Sequence, residues 1–80
     1  MTEQQFQSEM SRAKTLGRLA SDPNQADYHA GYIRGLRRNY YGEQFGSQQE
    51  HELWLGLNDD LDESRSARGR GYRDGFAFGQ

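Results

Sequence analysis

Among 80 residues only Thr2, Thr15 and Ile33 branch at Cβ, and valine is absent. Strands draw stability from stiff branched or aromatic side chains packed over a pleated surface. So few such residues leave little to build a sheet from, and the sequence predicts an all-α fold, a compact bundle of three to four short helices. Hydrophobic residues make up 32% of the chain and the mean hydropathy is -1.17, so the core must be small. With seven Leu and one Ile, it has to be built from leucines and aromatics. A chain of this length has room for one domain, residues 1–80.

Helix start signals place the elements. Thr2 followed by Gln5 has the spacing of a capping box, in which two side chains satisfy orphaned backbone N–H groups reciprocally. Phe6, Met10, Ala13, Gly17 and Ala20 then make a narrow stripe on a helix over about 3–20. Asp22 can cap a second helix, with Pro23 at the first position where a missing N–H costs nothing and Gln25 at the box position. That helix should run over 23–41. Ala26, Ala30, Ile33, Leu36 or Arg37, and Tyr40 trace its buried side, beside a stripe of Tyr28, Tyr32 and Gly35. Gly42 is free to take the left-handed conformation that closes helices. Ser47 with Glu50 opens a third helix over 48–58, with Leu53, Trp54, Leu57 and Leu61 as its apolar face and Asn58-Asp59-Asp60 as a break. A fourth helix is expected over 62–78, with Asp62 and Glu63 ahead of its arginines as the helix dipole favours. Gly69, Gly71 and Gly75 weigh against it, each costing about 1 kcal/mol relative to Ala. The expected core is Phe6, Met10, Leu16, Ile33, Leu36, Tyr40, Leu53, Trp54, Leu57 and Tyr72.

Gly31-Tyr32-Ile33-Arg34-Gly35-Leu36 is echoed forty positions later by Gly71-Tyr72-Arg73-Asp74-Gly75-Phe76. Glycines four apart on a helix open a flat groove where another backbone can approach closely. The second and fourth helices cross there, or Gly31 and Gly35 receive a partner or a second copy of the chain as a structural homodimer, or the echo is a coincidence of composition.

Ten basic and twelve acidic residues give a net charge of -2, which excludes a bulk polycation that coats nucleic acid. Absence of Cys removes disulfides, thiol nucleophiles and cysteine zinc sites. Neither His29 nor His51 belongs to a paired i, i+4 zinc motif, no phosphate loop follows a strand, and no nucleophile–base pattern is present. The sequence therefore predicts a chain that is not an enzyme, with no catalytic residue, metal or cofactor. No apolar stretch approaches the roughly 20 residues of a membrane span, and the N-terminus lacks a signal-peptide pattern. The expected location is cytoplasmic, in the host cytoplasm if the gene is phage-borne.

Two charged clusters are candidates for binding a larger protein or ribonucleoprotein complex. Glu50, Glu52, Asp59, Asp60, Asp62 and Glu63 crowd around Trp54, and carboxylates on a rigid helix can imitate a row of phosphates. Arg34, Arg37 and Arg38 with Tyr32 could instead contact RNA, because guanidinium suits phosphate and stacks on bases. Plain alternatives are solvated helix faces for the acids and internal ion pairs for the arginines.

Gly31-Tyr32-x-x-Gly35-Leu36 followed by Trp54-Leu55-Gly56 resembles the ribosome modulation factor family over Gly31 to about Leu57. That resemblance implies a two-helix unit that binds ribosomal RNA. In overall character the chain resembles small proteins of phages and mobile elements, among them anti-CRISPR proteins. Those bind a host nuclease or surveillance complex and block its access to DNA. The leading expectation is such an inhibitor, with the acids facing a basic DNA-binding surface. A ribosome- or RNA-associated modulator is the alternative.

Overall fold

A computed structural model describes residues 1–80, and it contains helices and no strand. The helices are α1 (Glu3–Leu19), α2 (Pro23–Tyr41), α3 (Gln48–Gly56) and α4 (Glu63–Phe76). Short 3-10 turns at Gly42–Gln44 and Leu57–Asp59 follow α2 and α3.

Local chemistry accounts for each start. Thr2 Oγ1 accepts the Gln5 N–H at 3.1 Å while the Thr2 N–H donates to Gln5 Oε1 at 2.9 Å, closing the box read from the sequence. Asp22 accepts the Asn24 N–H, with Pro23 entering the first turn. Ser47 accepts the Glu50 N–H at 3.1 Å, but the Glu50 carboxylate turns away to Arg34 and the box stays half made. Asp62 caps α4 by accepting the Arg65 N–H at 3.0 Å. Gly42 closes α2 with φ of 68°, a conformation costly for residues with a Cβ. The third and fourth helices are shorter than expected. Asn58 and Asp59 tighten into the 3-10 turn, and α4 gives way to a turn after Phe76.

The centre of the molecule is the crossing of α2 and α4. A Cβ placed on Gly31 would overlap the carbonyl oxygen of Arg68, and one on Gly35 that of Tyr72. In return, Gly71 lies against the carbonyl of Tyr28 and Gly75 against that of Tyr32. These pairs ascend together along both helices, so α2 and α4 run parallel, and they interchange under the forty-residue shift of the motif. At each glycine a Cα–H stands where a side chain would, aimed at a carbonyl of the opposite helix. Such contacts contribute about 0.5–1 kcal/mol each. The glycines thus serve the internal crossing and are covered by it. They leave no groove at Gly31 and Gly35 for a second copy or a partner.

Outer helices complete two antiparallel hairpins. Phe6 of α1 stacks on Tyr40 with ring centroids 4.3 Å apart and planes within 6°, and meets Tyr41 edge-on. Phe6, Met10, Ala13, Tyr32 and Leu36 form the main core cluster. On the other side His51 of α3 packs on Tyr72 and Phe76, with Trp54 beside Tyr72.

The buried faces differ from the expected ones in three places. On α2 the interior is Gly31, Tyr32, Gly35, Leu36 and Arg38, while Ala26 and Ala30 are exposed. A bare backbone admits α4 more closely than an alanine stripe can, so the glycine side turns inward. On α3 the buried residue is His51, and Leu53 is 68% exposed. Leu61 is fully exposed and Leu16 is at the surface, so neither belongs to the core. Ile33, Tyr40, Trp54 and Leu57 are half-buried at its edge.

Candidate partner-binding face

The arginine–tyrosine cluster dissolves when placed in the fold. Tyr32 is buried, and its hydroxyl lies 3.4 Å from the Glu9 carboxylate, which also holds Arg12. Burial first, then the negative Glu9, pushes the Tyr32 phenol above its usual range. Arg38 is buried too, its Nη2 donating to Gln48 Oε1 at 3.3 Å and its Nε without a partner. Arg34 bonds Glu50 at 3.3 Å and lies over the rings of Trp54, at 4.7 Å, and Phe45. Arg37 alone keeps a side chain free of hydrogen-bond and ion-pair partners, and it is half-buried. Tyr32 and Arg38 are therefore interior residues rather than contact residues. The four predicted positions do not make an RNA-contacting patch.

Most arginines serve the fold. Arg12, Arg34, Arg65, Arg68 and Arg73 each hold a carboxylate of the same chain. Asp27 joins α2 to α4 by accepting the Ser64 hydroxyl at 2.7 Å and the Arg68 Nε–H at 3.4 Å. Tyr28 does the same further along, donating its hydroxyl to Asp74, and burial together with that bond raises its pKa to about 12.

The six acids remain at or near the surface. His51 and Trp54 turn towards α4, which leaves Glu52 and Leu53 on the outward side of α3. Glu50 is compensated by Arg34 and Asp60 by Arg65, the latter at 3.7 Å. Asp62 is the α4 cap, Glu63 accepts from Asn24 Nδ2, and Glu52 accepts from Gln48 Nε2. Asp59 has no side-chain partner. Glu52, Asp59, Asp62 and Glu63 thus have no cation within 4.0 Å. No Lys or Arg interrupts residues 50–63. The acids are spread over α3, the 3-10 turn and the start of α4 rather than gathered at one point. Their arrangement is an edge of negative charge broken by exposed Leu53 and Leu61.

His51 was not predicted as an interior residue. Its Nδ1 lies 2.7 Å from the Tyr72 hydroxyl, and burial first, then the nearby Arg38 charge, lowers its pKa. The sequence signal for this is its i, i+3 and i, i+4 spacing from the half-buried Trp54 and Leu55.

No helix is long and apolar enough to cross a membrane. No family profile, characterised protein or solved structure matches this chain.

Proposed function

We propose that the chain is a non-catalytic binder of a larger assembly, acting by occupying a basic nucleic-acid-binding surface and so keeping DNA out. The form of activity this fits is that of a phage or mobile-element inhibitor of the anti-CRISPR kind. One observation carries the reading. Four carboxylates of the 50–63 edge have no cation of their own chain beside them, and exposed leucines stand among them. Carboxylates left uncompensated give a local negative potential despite the small net charge, steering the chain to a basic channel. Leu53 then supplies apolar anchoring area once water is excluded.

The test uses Glu52→Lys with Asp59→Lys, because neither residue caps a helix or holds an arginine. Purified CRISPR surveillance complexes are assayed for target-DNA binding with and without the protein. The native chain should abolish DNA binding by its cognate complex, with inhibition weakening as salt rises. The double variant, with unchanged circular dichroism, should lose inhibition by tenfold or more. Full inhibition by that variant, or DNA binding untouched by the native chain in every complex tried, rejects the proposal.

A further inference from the structure

The N-terminal ends of α2 and α4 lie together, tied by the Asn24–Glu63 hydrogen bond. Beside them is an open groove of about 630 Å³, its walls including Leu16, Leu19, Tyr28, His29 and Arg70. Asn24 and Arg70 also line a second cleft with Leu61 and Glu63, so the two hollows adjoin. Leu19 is 76% exposed and Leu61 completely so. Arg70 bonds only Ser66 Oγ within its chain and has no carboxylate partner, while Glu63 has no cation partner.

Glu63 and Arg70 are seven residues apart on one face of α4, two turns or about 10 Å along the axis. Ser66, between them, lines the same cleft. A face carrying one charge of each sign at that spacing is complementary to itself turned end for end. With a two-fold axis near Ser66, Glu63 of each chain meets Arg70 of the other. Leu61 lies just before Glu63 in the chain, and Arg70 lines the groove that Leu16, Leu19 and Tyr28 share with the polar Asp22, Asn24 and Gln25. In such a pair each exposed Leu61 would face the other chain's end of α4, where the groove walled by Leu16 and Leu19 opens. Projection and hollow adjoin on one patch, which is what a closed isologous contact needs and an open chain of copies does not.

We propose that this end of the molecule is a homodimer interface, with a second copy of the chain as its occupant, α4 antiparallel to α4 across the axis. The interface is separate from the glycine crossing and from Glu52, Leu53 and Asp59, but it shares Glu63 and Leu61 with the acidic edge; the Glu52/Asp59 inhibition test and the Arg70 and Leu53 variants below keep the two readings distinguishable. The patch is small, and the association expected of it is weak and reversible.

The decisive experiment is a charge exchange followed by sedimentation equilibrium. For the native chain the mass should climb from 9.2 kDa towards twice that value as concentration rises. Arg70→Glu alone and Glu63→Arg alone should each weaken association by tenfold or more. An equimolar mixture of the two variants should restore it, as should both substitutions in one chain. Leu61→Asp should abolish association, whereas Leu53→Asp, on the outward side of α3, should leave it unchanged. A native chain that stays at 9.2 kDa to millimolar concentration overturns the proposal. So does growth beyond the dimer, or failure of the mixed charge variants to pair.

Discussion

The glycine crossing makes a prediction whose sign opposes helix propensity. Replacing glycine by alanine inside an exposed helix stabilises it by about 1 kcal/mol. At Gly71 the added methyl would overlap the Tyr28 carbonyl oxygen and lie 2.8 Å from both the Tyr28 carbonyl carbon and the Tyr32 nitrogen. Ordinary carbon contacts are about 3.5–4.0 Å, so relieving the two 2.8 Å contacts alone parts the helices by roughly an ångström, and the closer carbonyl oxygen asks for more. A gap of that size forfeits a quarter to a half of each dispersion contact across the seam. It also weakens the four Cα–H contacts at about 0.5–1 kcal/mol each. Against the propensity gain, a net loss of about 2–3 kcal/mol remains for Gly71→Ala. At about 4–8 °C per kcal/mol for a domain of this size, Tm should fall by roughly 10–20 °C. Gly56→Ala is the matched control, since a Cβ there meets nothing within 4 Å. It should hold or raise Tm. Thermal and urea unfolding followed by far-ultraviolet circular dichroism read both. If Gly71→Ala proved as stable as the native chain, the reciprocal packing of backbone on backbone would not be what holds α2 to α4.

Two further predictions concern the interior polar groups. Burial holds His51 below its ordinary value of 6.5 in the folded chain, so on acidification the unfolded chain takes up the proton first. This contribution to stability is complete above pH 6.5 and is lost as pH falls below it, by up to about 1.4 kcal/mol per pH unit. His51→Gln should flatten that slope in urea titrations, and a slope unchanged by the substitution would refute the assignment. Arg38 is a buried cation without a carboxylate partner, so Arg38→Met should raise stability by about 1 kcal/mol. The same change removes the second cause of the His51 shift and should move its pKa upward in an NMR titration. A fall in stability, or an unmoved His51, would show that Arg38 is compensated in another way.

Fold class was legible because it follows from what the chain lacks. Without branched side chains there is little to stiffen a strand, and Thr2, Asp22 and Ser47 announce helix starts through short-range hydrogen bonds that sequence spacing fixes. The repeated glycine motif also disclosed that two backbones meet, since its cost in a helix calls for compensation. Which faces turn inward was less visible. Ranking by hydrophobicity favours Ala26 and Ala30 over Gly31 and Gly35, and Leu53 over His51. Close approach reverses the first preference, and the Tyr72 hydroxyl supplies a polar partner that makes the second work. The same distance blindness set Tyr32 and Arg38 among contact residues, because a polar end gives no hint of burial until its neighbour is known. The acids of 50–63 were legible as a group, but their division into capped, paired and unpaired members depends on Arg34, Arg65 and Asn24, each from another element or beyond a turn.

The parallel pairing of α2 with α4 also governs how the chain becomes folded during synthesis. Every close backbone contact of the crossing joins residues about forty apart, so the ordering of the intervening segment must precede any reward from the contact. While residues 68–76 are still being made, α1 and α2 can pair, but Gly31 and Gly35 remain an open, dehydration-prone seam. A chain cut short before Gly71 would therefore leave the central groove of α2 uncovered, making it a target for proteases rather than a weaker version of the finished protein.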